Sequence, residues 1–342
     1  MTSPSADSPA TLMAAEIAEA PAALARFFDA ESANLARIGA RLRDLSPAYA
    51  VTCARGSSDN TAGYFKYLSE ILAGVPVASV GPSVASIYKA PLRFKGAVVV
   101  SVSQSGKSPD IVSLQARARE AGAFAVAIVN DASSPLAAQA DAVLPLHAGP
   151  EKSVAATKTC LSSAAVLAAL LAEWHQDKAL QQGVRGLPEA FEAALSADWS
   201  PALPVFETAQ SAYVIGRGPA FPIAQEAALK LKETAVLHAE AYSGAEVMHG
   251  PLQLVDTGFP VLTFRPQDAA FEAMGEAIER MRGAGANVFV AGGDLPFTSS
   301  GHALLDPLAM LVSFYGLAEK VARGRGYDPD RPTRLRKVTE TI

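Results

Sequence analysis

The chain has 342 residues, half of them hydrophobic and 18% charged, with a formal net charge of -5. So apolar a composition excludes a disordered polymer, and the mildly acidic balance excludes the basic footprint of a nucleic-acid binder. Two cysteines, Cys53 and Cys160, are too few for a disulfide framework and fit a reducing compartment.

At the N-terminus, Ser and Pro dominate residues 1–10, which are expected to form a disordered tail. Asp7, Glu16 and Glu19 precede the first basic residue, Arg26, the wrong charge for a signal or transit peptide. No apolar run approaches the roughly 18 residues of a membrane helix. The expectation is a cytoplasmic protein without a membrane partner.

From Val51 onward, short β-branched runs alternate with amphipathic stretches. Strands are predicted at Val51–Ala54, Val77–Val80, Ala97–Val102, Val126–Val129 and Ala142–Leu146, and again at Tyr213–Ile215, Val261–Phe264 and Val288–Ala291. Helices are predicted over Asn60–Leu72, Asp110–Ala121 and the alanine-rich Ala155–Leu180. Pro188, Pro201 and Pro204 punctuate the join between the two sets. Such alternation implies α/β architecture with parallel sheets covered by helices on both faces.

The two sets repeat one another. Arg55-Gly56 recurs as Arg217-Gly218, and Gly96-Ala-Val-Val-Val-Ser recurs at the same offset as Gly258-Phe-Pro-Val-Leu-Thr. The stretch from Glu120 to Asp131 matches that from Gly283 to Asp294 one residue further on. This spacing is far longer than a solenoid repeat, so a duplicated domain is expected. The divisions expected are residues 1–30 for a tail and helix, 31–195 and 205–325 for the two domains, and 326–342 for a C-terminal tail.

Candidate chemistry begins at Ser101-Val-Ser-Gln-Ser-Gly-Lys-Ser-Pro-Asp110, between a predicted strand and helix. Ser108 suits the N-cap and Pro109 the first helical position. A helix N-terminus at the carboxyl end of a strand offers N–H groups to an anion, and Ser103, Gln104, Ser105 and Ser108 add donors. The loop lacks the GxxxxGK[ST] pattern, which favours a small phosphorylated molecule over a nucleotide. The same residues also suit an ordinary capped turn. The corresponding loop at Arg265-Pro-Gln267 has no serines. A second strand–helix turn, Gly56-Ser57-Ser58, could reach the same ligand.

Further on, Glu226, Lys230 and Glu233 share one helical face. A solvated charged face is the plain reading of that run alone. Next comes His238-Ala-Glu240-Ala-Tyr242, with Glu246 and His249 close behind. No HExxH spacing appears, which disfavours a metal site. His147, His175 and His302 stand apart as structural or exposed side chains.

These residues together resemble the double sugar-isomerase (SIS) domain family. The likeness is nearest to the isomerase half of glucosamine-6-phosphate synthase and to stand-alone sugar-phosphate deaminases. It runs from Met13-x-x-Glu16 through Gly56-Ser57-Ser58, Ser103-Gln-Ser-Gly, Glu151-x-x-Val154-Ala155-x-Thr157-Lys158 and Glu226-x-x-Leu-Lys230-Leu-Lys-Glu233. It closes with Glu246-x-x-His249-Gly-Pro and Asp328-x-Asp330-x-Pro332-x-x-Leu335-x-Lys337-Val-Thr. The resemblance implies two tandem SIS domains, each a parallel sheet in an α/β/α sandwich, and a homodimer with shared active sites. It implies that Ser58, Ser103, Gln104, Ser105 and Ser108 hold the phosphate of a phosphosugar, with Gly56 and Ser57 supporting, and that Val154 lines the sugar. Glu233 would be the base, His249 would assist ring opening from the neighbouring subunit, and Lys337 would meet the ketose. Glu226 and Lys230 would form a supporting ion pair. No cofactor and no metal would be needed.

Two departures stand out. Lys107 replaces a usual acidic residue and would add positive charge near the ligand, and Ala156 replaces a hydroxyl residue. Thr2 stands where a glutaminase domain would open with cysteine, and too little chain precedes the first strand for that domain or for a helix-turn-helix module. The expected reaction is therefore ammonia release, glucosamine 6-phosphate to fructose 6-phosphate. Galactosamine-6-phosphate deaminase, another phosphosugar isomerase, fructosamine-6-phosphate deglycase and ammonia-dependent synthase are the alternatives within the fold. A non-enzymatic sugar-phosphate sensor is the alternative outside catalysis.

Overall fold

The structure, a computed structural model, describes residues 10–337. The expected tail over residues 1–10 thus lies outside the described residues apart from Ala10, as do the closing Val338 and Thr339 of the last motif. In chain order the elements are α1 (Leu12–Ala18), α2 (Ala20–Leu45), β1 (Ala50–Cys53), α3 (Ser57–Leu68), β2 (Val77–Ser79), α4 (Ser83–Ser86), β3 (Val98–Ser103), α5 (Pro109–Glu120), β4 (Phe124–Val129), α6 (Pro135–Ala138) and β5 (Ala142–Pro145). After these come α7 (Lys158–His175), α8 (Lys178–Arg185), α9 (Leu187–Leu195), α10 (Leu203–Thr208), β6 (Ser211–Gly216), α11 (Ala220–Ala235), β7 (His238–Ser243), β8 (Pro260–Phe264), α12 (Phe271–Gly283), β9 (Asn287–Ala291) and α13 (Asp306–Gly324).

The elements fall into two compact units. The first comprises residues 22–151 and 158–185. Its five strands run parallel in the order β2-β1-β3-β4-β5. β3 is buried along its whole length, as a central parallel strand must be. Val51 and Val99 of the sheet pack with Ile111 and Leu114 of α5 in one core. α7 is buried on nearly every side, so its small apolar residues mark an interior helix. Residue 31, where the first domain was expected to begin, lies inside α2.

The second unit comprises residues 10–21, 152–157 and 186–337 of the described chain. Its four parallel strands run β7-β6-β8-β9. Tyr213, Ile215 and Val261 pack against Met274, Ile278 and Met281 of α12. Asp330 joins distant parts of this unit. Its carboxylate accepts from Leu12 N–H (2.7 Å) and Met13 N–H (2.8 Å), and its carbonyl accepts from Val154 N–H (3.2 Å). The Asp330 carboxylate therefore caps α1, where a negative charge is favoured by the helix dipole. Glu16 of α1 in turn accepts from the N–H groups of Lys152 and Ser153.

The single helix expected over Ala155–Leu180 is two helices. Gln176 adopts a left-handed φ of 53° after α7, and the Asp177 carboxylate accepts from Ala179 and Leu180 N–H (both 3.0 Å) to cap α8. No helix among the described residues is long and apolar enough to cross a membrane.

Candidate active site

In the first unit the chain leaves β1 toward β2 on one side and β3 on the other, so the sheet has its switch point between β1 and β3. Crevices at such points lie outside the carboxyl ends of the strands. The turns Ala54–Gly56 and Gln104–Ser108 occupy those ends, each leading into a helix. Gly56 has φ 55°, a value that a side chain would strain, and it opens α3 immediately before Ser57 and Ser58.

The second turn is shaped by its own polar groups. Ser103 Oγ accepts from Gly106 N–H (3.1 Å), and Ser105 Oγ accepts from Lys107 N–H (3.3 Å). A hydroxyl that accepts still carries a proton to donate. Gly106 has φ 62°, and a Cβ there would collide with the Ser134 side chain. Asn130 N–H donates to Gln104 O (3.1 Å), and Leu136 N–H donates to Gly106 O (3.2 Å), tying the turn to the neighbouring β4–α6 connection. Ser108 is the N-cap of α5 and Pro109 follows at the first helical position, but the Ser108 hydroxyl makes no capping bond. Ser58, Gln104, Ser105 and Ser108 are partly exposed, and Ser103 is buried.

The basic side chains of the two turns are paired. Lys107 Nζ pairs with Asp131 Oδ2 (3.0 Å), so the extra positive charge expected from Lys107 is answered by a carboxylate. Ser133 Oγ and N–H also donate to Asp131 Oδ1 (2.6 and 3.0 Å). The Ser133 hydroxyl first, then Lys107 and the Ser133 N–H, hold the Asp131 carboxyl down to about 2. Arg55, on the β1–α3 turn, donates through Nε (3.1 Å) and Nη2 (2.8 Å) to Oδ2 of Asp110, which is fully buried in the first turn of α5. In the sequence Arg55 stands in a repeated Arg-Gly and opens the second strand–helix turn, with no sign beside it of its carboxylate partner. Asp110, an acid in a helix's first turn, carried the available signal.

In the second unit, α11 carries Glu226, Lys230 and Glu233. They do not form a solvated face: Glu226 and Lys230 are fully buried. Lys230 Nζ lies 3.4 Å from Glu226 Oε1 and bonds Glu233 Oε2. The Glu233 side chain is 24% exposed, so the end of this chain of charges faces outward. Tyr315 of α13 donates its O–H to Glu226 Oε1 (3.0 Å). Tyr315 lies in an apolar run of α13, where the sequence gives no sign of this contact.

His238 opens β7, and His249 is exposed at the end of a 3-10 turn, Glu246–His249. Val154 is partly exposed, with its N–H held by Asp330. In the first unit, Glu151 accepts from Thr159 N–H and Oγ1 at the start of α7, and Lys158 Nζ donates to Pro150 O (2.8 Å). Lys337 is half-buried at the last described position. Among the described residues no group of three or more His, Cys, Asp or Glu is placed to hold a metal ion.

Two parallel sheets, one with hydroxyl-bearing turns at its switch point, define an α/β protein. The chain belongs to the SIS domain family, which matches at residues 49–173 and 206–300. It is 36% identical to glutamine–fructose-6-phosphate aminotransferase (isomerizing) of Aeropyrum pernix, over 95% of this chain and 56% of that protein. The chain thus spans about half the length of the curated relatives it matches. Among solved structures, a protein of Silicibacter pomeroyi DSS-3, provisionally described as a phosphosugar isomerase, is 46% identical with a TM-score of 0.90, covering 94% of this chain and all of that one. Glucosamine-6-phosphate deaminase of Thermotoga maritima shares the fold at 22% identity and a TM-score of 0.77, covering 97% and 100%.

Proposed function

We propose that this protein is an amino-sugar-phosphate deaminase that converts glucosamine 6-phosphate and water to fructose 6-phosphate and ammonia. The observation that carries the reading is the α11 array, in which buried Lys230 fixes the partly exposed carboxylate of Glu233. A carboxylate held in this way is equipped to shuttle a proton, which a sugar-phosphate sensor does not need.

In this reading the phosphate is bound by N–H and hydroxyl donors of the Ser103–Ser108 turn and by Ser58, and that remote binding energy positions C1 and C2. His249, contributed by a second copy in a homodimer, assists ring opening. Glu233 takes the C2 proton of the open-chain aldehyde, giving an enolamine, and returns it to C1. The product is a ketimine at C2. Water adds to that carbon and ammonia leaves. Lys337 stabilises charge at C2 or exchanges with the imine.

The test is direct. Purified protein with glucosamine 6-phosphate should release ammonia and fructose 6-phosphate in equal amounts, and Glu233→Gln should abolish turnover while leaving ligand binding largely intact. Aldose–ketose isomerisation without ammonia from any hexosamine 6-phosphate would refute the deaminase reading. Binding without turnover would favour a sensor.

A further inference from the structure

Glu226 Oε1 is shared. It accepts the Tyr315 O–H at 3.0 Å and lies 3.4 Å from Lys230 Nζ. Lys230 is shared in turn, since the same ammonium bonds Glu233. Tyr315, Glu226 and Lys230 are fully buried, so solvent does not substitute for the contacts that Glu226 makes with the other two. Lys230 thus bridges two carboxylates in a low-dielectric setting, and how its ammonium is divided depends in part on how well Glu226 is satisfied from elsewhere.

We infer that Tyr315 is a positioning residue for Glu233, acting through Glu226 and Lys230. The phenol donates to Glu226 and satisfies part of its charge, which leaves more of the Lys230 ammonium to orient Glu233. Without the O–H, Glu226 draws Lys230 toward itself and Glu233 loses its fixed direction. Tyr315 touches no substrate atom in this account. The inference rests on the reading of Glu233 as the proton-transfer base.

The experiment compares the full-length protein with Tyr315→Phe, Glu226→Gln and the double variant, using glucosamine 6-phosphate and its 2-deuterio form. Tyr315→Phe should lower kcat about 10-fold with KM within about twofold, and should raise the deuterium isotope effect as proton transfer becomes slower. In the Glu226→Gln background the same change should have little further effect, because the relay is already cut. An unchanged kcat with only a lowered melting temperature, or additive losses in the double variant, would overturn the inference. If Tyr315→Phe does not fold, 3-fluorotyrosine at position 315 keeps the packing and alters O–H donation. A changed kcat at constant KM then supports the role, and an unchanged kcat overturns it. Glu233→Gln runs in parallel. Full turnover in that variant removes the base reading itself, whereas its loss with Tyr315→Phe fully active removes only the positioning role.

Discussion

Arg55 clasps the buried carboxylate of Asp110 with two N–H groups, and in doing so it links the two turns that flank the switch point of the first sheet. One residue follows β1 and the other starts α5, so their ion pair sets the separation of the Ser57-Ser58 and Ser103–Ser108 segments. Removing Arg55 leaves a buried acceptor short of a partner, which costs about 1–3 kcal/mol. Arg55→Ala should lower stability to urea by that amount and raise KM. A cycle with Asp110→Asn should show strong coupling, and additive effects would mean that the pair does not organise the turns.

The cations of the two turns are paired, Arg55 with Asp110 and Lys107 with Asp131, and Asp59 adds a carboxylate in the first turn of α3. If the phosphate binds there as proposed, its binding must rest mainly on oriented N–H and O–H donors rather than on excess positive charge. Ser103→Ala should raise KM about 10-fold or more, the value of a hydrogen bond to a charged group, with kcat changed less. Raising salt to about 0.3 M should move KM by less than about threefold, because a site without net positive charge offers an anion little attraction to screen.

Asp131 offers a pH test of the same loop. Its carboxyl, held at about 2 against an ordinary 3.8, favours the ionised form in the folded protein. The stability it contributes is fully present above the ordinary value and is lost as pH falls through about 2. Carbon-detected NMR should find the Asp131 carboxyl still ionised at pH 3. A titration near 3.8 would show that the Ser133 and Lys107 contacts do not persist in solution.

Burial pushes the Cys53 thiol far above its usual range, and the nearby Asp110 carboxylate adds to the effect. Cys53 should therefore resist iodoacetamide at pH 8 in the native protein and react once the chain is unfolded in guanidinium. Rapid native alkylation, mapped by mass spectrometry, would contradict a sealed β1.

Much of this fold was readable because its strands are near-continuous β-branched runs, such as Val98–Val102, whose burial leaves few alternatives. The turn after β3 was readable because Ser108-Pro109 is a strong helix-start signal. The break at Gln176 was not, since Glu173-Trp-His-Gln-Asp177 contains neither Gly nor Pro and the stop is made by one left-handed residue. The electrostatics of the site were hidden for a different reason. Arg55 and Asp110, or Glu226 and Tyr315, meet only through tertiary packing, and periodicity carries no record of such distant partners. The α11 run shows the limit well: its spacing fits a wet surface as readily as the buried array that forms.

Asp330 gives the molecule a timetable. Domains usually fold as units while the chain is being made, the N-terminal portions first. Among the described residues, the unit that holds the serine turn is drawn from 22–151 and 158–185, all made before Asp330. The other unit takes in α1 and residues 152–157, yet the Leu12, Met13 and Val154 amides have no Asp330 to meet until residue 330 has been made. A chain stalled before that residue would carry the serine turn without the clasp that ties α1 and residues 152–157 into the unit bearing Glu233.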